Sequence, residues 1–422
     1  MSVRWPRWPR WTGGTGGQYS LVRGVFGAYL ALHFARLVPY GAELFSSDGV
    51  LPDGRASPLL HLFPNVLALG DSPGFVFALL VLACLASLAL AAGWRDRIAA
   101  LVLAYLWACF FGRNPLVSNP SLPYVGWMLV AHACLPRAPY GSIEARGRVD
   151  PGGGWTFPCG VFLAAWIAMA VGYSYSGAMK LTSPSWLDGT ALERVLQNPL
   201  ARPGWARDLL LAVPAPFLRA ATWGAFSFEL AFAPLALFRK LRPVVWTAML
   251  AMHLSLMALI DFADLSFGMV CLHLFTFDPA WVSAKRRAAS VHLFYDGSCA
   301  LCHGFVRFVL AEDRTGEALR FAPLQGPTFE ARVAPERRAE LPDSIVVLDA
   351  SGALHSRSDA AAFVLETLGG LWRALAIVLR AVPRPLRDLG YDAVASVRKK
   401  VFGTTSNACP MMPRSLGARF DP

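Results

Sequence analysis

Residues 72–94 carry no charged side chain, and neither do residues 114–136 or 151–179. Each stretch is long enough to cross a bilayer as one helix, for which about 20 mainly apolar residues suffice. Five further segments read as crossings although they are shorter or interrupted. They are residues 20–39, where Arg23 and Arg36 flank an apolar centre, then 97–113, 219–239 with Glu229 inside it, 242–261 and 264–285. The pattern predicts a polytopic α-helical membrane bundle of about eight spans, which puts both termini on one side.

The basic residues say which side. One set of segments holds Arg4, Arg7 and Arg10; Arg95 and Arg97; Arg137, Arg146 and Arg148; Arg239, Lys240 and Arg242; and Lys285, Arg286 and Arg287. The opposite connections hold fewer bases and many acids, among them Glu43, Asp48, Asp53, Asp71, Asp188 and Asp208. Lys and Arg accumulate on the cytoplasmic face, so both termini are expected there. This distribution accounts for the net charge of +11 and makes a nucleic-acid partner unnecessary. A charged fraction of 16%, against about 25% in soluble domains, excludes a disordered chain and argues against a wholly soluble one. No removable signal peptide is expected, because the Trp-Pro-Arg repeats of residues 5–11 lead into no short apolar core with a cleavage pattern.

The charge balance changes after Lys285-Arg286-Arg287. Residues 291–422 hold 16 Lys and Arg against 14 Asp and Glu, whereas residues 1–290 hold 23 against 14. Two domains are therefore expected, a membrane domain over residues 1–290 and a domain of soluble composition over residues 291–422.

Within the first domain, several short pieces stand in order: Leu21-Val22-Arg23 with Gly27, residues 45–52 (Phe-Ser-Ser-Asp-Gly-Val-Leu-Pro), Arg113-Asn114-Pro115-Leu116, residues 176–181 (Ser-Gly-Ala-Met-Lys-Leu) followed by Trp186-Leu187-Asp188-Gly189, and Glu229 before Pro234. Together they resemble the HTTM domain, the bacterial relatives of vitamin K-dependent gamma-carboxylase, over roughly residues 18–283. The resemblance implies a multi-pass protein of a bacterial inner (plasma) membrane. In the carboxylase, the second lysine of an Ala-Gly-x-Lys-Lys-Leu pattern is regarded as the base that deprotonates the reduced vitamin, and Lys180 matches it. Met179 replaces the first lysine, and the large lumenal glutamate-recognition region has no counterpart; both departures argue against a carboxylase.

The residues themselves leave the chemistry of this half open. Lys180 is one of five lysines among 39 bases, and an amine whose proton affinity falls on burial can act as a general base on a quinol hydroxyl. A quinone or quinol is therefore the cofactor class to consider. A lysine snorkelling from a helix end accounts for the same position. Glu229 lies near mid-span, where a charge costs on the order of 3 kcal/mol, so it should face the bundle interior and find a partner or a proton. His253, mid-way along the seventh span, is the partner considered; Glu229 as a plain helix–helix hydrogen bond and His253 as a packing group are the alternatives. His33 and His132 are weaker candidates of the same kind.

The second domain opens on Val291-His-Leu-Phe-Tyr-Asp-Gly-Ser-Cys-Ala-Leu-Cys-His303. A β-prone run, a Gly turn and C-x-x-C at the head of an amphipathic segment, residues 300–311, read as strand, turn and helix. Cys299 then stands at a helix N-terminus, where unpaired amides and the helix dipole favour a thiolate and make it the nucleophile. Cys302, one turn on, would resolve the mixed disulfide. Zinc is the main competitor, but two cysteines with His303 adjacent and Cys409 remote lack a second spaced pair. Cys84, Cys109, Cys134, Cys159 and Cys271 fall in apolar spans and read as small buried residues. The expected order continues with a strand at 319–323, a helix at 328–341, strands at 344–349 and 353–357 around a turn, and a helix at 359–368.

Residues 295–302 (Tyr-Asp-Gly-Ser-Cys-Ala-Leu-Cys) resemble the signature of the DCC family of predicted thiol-disulfide oxidoreductases, whose namesake residues are matched by Asp296, Cys299 and Cys302. Residues 343–346, 358–360 and 368–370, Tyr391, Arg398 and Cys409-Pro410 fit as well, so the likeness covers about residues 291–413. It implies an α/β thioredoxin-like domain. Asp296 would then accept a proton from the resolving thiol or cap the helix. Pro342 precedes a strand, as does the cis-proline facing C-x-x-C sites in thioredoxin relatives. The expected activity is disulfide reduction in the cytoplasm, with a protein or small-molecule disulfide as substrate, a cellular thiol as reductant and the lipid bilayer as the other partner. A redox-regulated membrane transporter or lipid-binding scaffold is the alternative, with a carboxylase-like enzyme behind it.

Overall fold

The computed structural model describes residues 13–146, 148, 155–285, 291–313, 316, 319–404 and 414–422. By spatial contact the described residues form two units, one within 21–135 and 158–277, the other within 13–20, 136–157 and 278–422.

The first unit is mostly helical. It contains most of α1 (Gly16–Leu37), then α2 (Pro73–Ala92), α3 (Asp96–Arg113), α4 (Leu122–Cys134), α5 (Cys159–Lys180), α6 (Trp205–Leu211), α7 (Ala215–Leu230), α8 (Arg242–Leu259) and α9 (Ala263–Thr276). Among the described residues, Gly16–Phe45, α2, α5 and α8 are long and apolar enough to cross a membrane, and α6 with α7, bent by 106°, would make a fifth. Length and composition thus support four or five spans where the charge-free stretches suggested about eight. The shortfall has local causes. Of residues 114–136, the first eight are spent on a 3-10 turn capped by Asn114 and on a further turn, leaving thirteen in α4. α3 carries Asp96, Arg97 and Arg113.

Buried arginines tie this unit together. Arg23, 1% exposed, donates from Nη1 to the carbonyls of Leu90 and Ala91, both at 2.8 Å, so a cation closes the C-terminal end of α2. Arg113, fully enclosed, bonds the Asp71 carboxylate at 2.8 Å and the Leu51 carbonyl at 2.8 Å. Two pieces of the sequence pattern are therefore structural anchors, Arg23 for a helix end and Arg113 for loops. Cys109 and Cys271 are buried as expected, but Cys134 and Cys159 are exposed, because each is the terminal residue of its helix.

In the second unit, β1 (Val291–Tyr295), β2 (Leu319–Pro323), β3 (Val346–Leu348) and β4 (Leu354–Ser356) form one mixed sheet in the order β2-β1-β3-β4. β1 runs parallel to β2 and antiparallel to β3, which is antiparallel to β4, and Leu293 stands opposite both Phe321 and Val347. Alternate residues of β1 serve two cores. Leu293 and Tyr295 pack with Val306 and Val309 of α10 (Ala300–Glu312) and with Phe363 and Val364, whereas Phe294 packs with Ala322, Phe329 and Val346. The helix expected at 328–341 is two short ones, α11 (Pro327–Arg332) and α12 (Pro335–Ala339), because Pro335 cannot donate into a continuing helix and starts a new one. α13 (Arg357–Leu368), α14 (Gly370–Ala381) and α15 (Arg384–Phe402) complete the domain. No peptide bond among the described residues is cis, so Pro342 does not reproduce the cis-proline of thioredoxin relatives.

Glu312 fastens further segments of this unit. Its buried carboxylate accepts from the Gly17 N–H at 2.9 Å, the Trp372 Nε1–H at 2.5 Å and the Tyr140 hydroxyl.

Candidate active site

The turn between β1 and α10 is built by Asp296. Its Oδ1 accepts from the Ser298 N–H at 2.9 Å and the Ser298 hydroxyl at 2.7 Å, an Asx turn that leaves Cys299 in extended backbone (φ −102°, ψ 117°) as the N-cap of α10. Cys299 Sγ there accepts the Cys302 N–H at 3.4 Å, one of the amide groups that the first turn leaves unpaired. A sulfur in that position gains most from the helix N-terminus when it is ionised.

The two thiols are free and differ in setting. Cys299 is fully enclosed and Cys302 is 8% exposed. Burial, and then the adjacent Cys299, push the Cys302 thiol up to about 12, while the positive charge of Arg398 pulls the other way. Arg398 is itself buried, held by the Asp343 carboxylate at 2.6 Å and 3.6 Å from Asp296; burial works against its charge, but Asp343 and the two sulfurs keep its guanidinium charged more firmly than usual. Tyr391 closes the same side, its hydroxyl accepting the Ile345 N–H at 3.1 Å. The α15 end forms a strap over the nucleophile: Gly403 accepts the Ala300 N–H at 3.3 Å, and Thr404 bridges to Cys299.

Asp296 is a carboxylate in this environment. Burial alone would raise it, but hydrogen bonds from Ser298 and Lys399, with the Lys399 charge 2.9 Å away, bring it down to about 2. Gln325 adds a longer contact at 3.4 Å. Asp296 thus lies in the turn that leads into the two cysteines, where its carboxylate bonds Ser298, while Cys299 is the N-cap of the helix. Lys399 and Gln325 were not anticipated; the only hint was that Lys399 belongs to a basic run in a chain with few lysines.

Among the described residues no group of three His, Cys, Asp or Glu side chains could hold a metal ion. His303 Nε2 is engaged by the Gly297 carbonyl at 3.0 Å, and Cys409 lies outside the described residues.

In the helical unit, Lys180 and Glu229 meet each other. Glu229, 3% exposed, forms an ion pair with Lys180 and accepts from the Ser176 hydroxyl at 3.1 Å, and the Lys180 ammonium lies 4.4 Å from the centre of the Trp186 ring. Gly177 permits the approach of α5 and α7, since a Cβ there would sit 2.5 Å from the Leu230 nitrogen. His253 is not the partner of Glu229. Its Nε2 bonds the Tyr173 hydroxyl at 2.8 Å and its Nδ1 contacts Ser266 Oγ at 3.3 Å. His33 and His132 are paired with Asp264 at 2.8 Å and Asp96 at 3.4 Å.

Comparison with known proteins bears on the C-terminal domain. The model of the DCC1-like thiol-disulfide oxidoreductase family matches residues 293–404. The uncharacterised protein YuxK of Bacillus subtilis is 36% identical over 134 residues, 31% of this chain and 93% of that protein. A chloroplastic DCC family protein of Arabidopsis thaliana is 31% identical over 119 residues, 28% of this chain and 68% of that protein. No solved structure matches.

Proposed function

Because this chain belongs, through its C-terminal domain, to the DCC1-like thiol-disulfide oxidoreductases, we propose that it is a membrane-anchored disulfide reductase whose nucleophile is Cys299. The observation that carries the reading is the Cys299 sulfur at the α10 N-terminus, bonded to the Cys302 amide. The Cys299 thiolate attacks one sulfur of a substrate disulfide, forming a mixed disulfide and releasing the other half as thiolate. Cys302 gives up its proton and attacks Cys299 Sγ, which releases the second half and leaves a Cys299–Cys302 disulfide. Two electrons and two protons from a cellular thiol reductant restore the pair. Asp296, paired with Lys399 and 3.6 Å from Arg398, stands in the turn that leads into the two cysteines and would take the proton that Cys302 gives up. The strap at Gly403–Thr404 has to move for substrate to reach Cys299.

The sheet order β2-β1-β3-β4, with only β3 antiparallel to the rest, supports a thioredoxin-like reading of this domain. Topology is supported by the second unit, whose described residues come from three segments, 13–20, 136–157 and 278–422, that the distribution of bases assigns to the cytoplasmic side. A cytoplasmic pair favours reduction over disulfide formation. Assay of the purified chain against its Cys299→Ser variant tests the reading: the variant should lose disulfide reduction, and equal activity in both would overturn it.

The buried pair of Lys180 and Glu229 favours a second activity in the bundle, an HTTM-like site for a quinol or other lipid-soluble ligand, with His253 and Tyr173 beside it. A ligand using Lys180 has to compete with Glu229 for the ammonium. Mass spectrometry of lipids and quinones extracted with the protein, before and after Lys180→Ala, tests this: a quinone recovered with the parent and lost from the variant is expected, and no quinone in either would remove the reading.

A further inference from the structure

In α15 Arg387, Tyr391 and Arg398 point inward, and a row of apolar side chains points outward. Arg387 Nη2 donates to Asp359 at 2.6 Å, and Tyr391 and Arg398 face the thiol site. On the opposite side Leu386, Leu389, Val397 and Val401 are 44–68% exposed, and their spacing keeps them on one stripe of the helix. Val378 of α14 and Val382, which follows it, are exposed apolar residues as well. Among the described residues nothing covers this ridge. A soluble domain seldom leaves so long an apolar stripe in water.

The charges indicate the occupant. Residues 370–402 hold seven Lys and Arg against two Asp. Arg384 is 61% exposed at the start of α15, and Lys400 is exposed beside Val401. The two acids are turned elsewhere, Asp388 accepting from Ser358 and Asp392 pairing with Arg357 at 3.1 Å. An apolar stripe rimmed by bases matches the surface of an anionic bilayer, in which apolar side chains enter the acyl boundary and bases meet headgroup phosphates. The tether enforces proximity: α9 ends at Thr276 and β1 begins at Val291, a connection whose reach is about 50 Å at most.

We infer that the ridge of α14 and α15 is a membrane-docking surface that seats the thiol domain on an anionic lipid leaflet. The inference rests on the membrane anchoring proposed above. Docking would hold α15, which carries Arg398 and the strap over Cys299, at the bilayer, so that disulfides presented at the membrane surface are the ones within reach.

The full chain, reconstituted in vesicles of phosphatidylglycerol and phosphatidylcholine with brominated acyl chains, tests this with a fluorescent amino acid replacing Val397. Replacement of Ser351, exposed elsewhere on the domain, and of Leu85, exposed on α2, gives the two references. Bromine should quench the 397 probe at least about threefold more than the 351 probe and less than the 85 probe, and Leu386→Asp with Leu389→Asp should remove the difference. Strong quenching at 85 with equal, iodide-accessible fluorescence at 397 and 351 would overturn docking and leave anchoring intact. A 397 probe shielded from both bromine and iodide would mean a protein occupant and also overturns it. No quenching at 85 would overturn both readings.

Discussion

The Lys399 ammonium lies 2.9 Å from the carboxylate of Asp296, the residue whose turn leads into Cys299 and Cys302. Lys399 is held in its charged form by that contact, and Asp296 is brought down to about 2. A carboxylate whose folded value lies below its ordinary value near 3.9 stabilises the fold above that pH, and loses the contribution as pH falls through about 2. The C-terminal domain should therefore lose about 1–2 kcal/mol between pH ~4 and pH ~2. Asp296→Asn should lose a similar amount at neutral pH and flatten the acid dependence. Hydrogen exchange resolved over residues 291–312 checks this; unchanged protection in the variant would contradict it.

Cys302, pushed up to about 12 by burial and by Cys299, is a thiol at neutral pH. Limited iodoacetamide at pH ~7.5 should therefore modify Cys299 before Cys302, since only thiolates react. Arg398→Ala removes the cation facing the pair and should lower disulfide reduction about tenfold at neutral pH, with the optimum moving to higher pH, and Arg398→Lys should restore part of it. Peptide mapping and a pH–rate profile read both effects.

Gly403 ends α15 at φ +85° and ψ 178°, a conformation open essentially to glycine alone. Gly403→Ala should cost about 1–3 kcal/mol locally and loosen the strap at Cys299. Alkylation of Cys299 should accelerate about tenfold, a factor that corresponds to about 1.4 kcal/mol. An unchanged rate would mean that the strap does not control access.

Breaking the ion pair of the helical unit from one side leaves a buried charge without a counter-ion. Lys180→Met or Glu229→Leu alone should destabilise the detergent-solubilised chain by about 3–5 kcal/mol, and the double variant should recover most of the loss. Thermal unfolding of the four proteins completes the cycle, and additive losses would show that the two side chains do not interact.

The C-terminal strand, turn and helix were legible because they are local. Val291–Tyr295 alternates between two cores, and the spacing of Cys299 and Cys302 places both on the first turn of α10. What remained hidden depended on residues far apart in the chain. Lys180 and Glu229 were each singled out, but 49 positions separate them, and only the close packing of α5 on α7 at Gly177 brings them together. His253 was assigned to Glu229 because both lie mid-span, whereas the α5 side chain Tyr173 occupies its Nε2. Span lengths were overestimated because absence of charge does not distinguish a helix from the capped turns that follow Asn114.

The central claim is that Cys299 carries the exchange. The most direct measurement is covalent trapping, with Cys302→Ser incubated with a disulfide substrate and the adduct mapped by mass spectrometry. A mixed disulfide on Cys299, released by added thiol and absent from Cys299→Ser, is the predicted result. An adduct on another cysteine, or none while the parent chain reduces the same substrate, would contradict it.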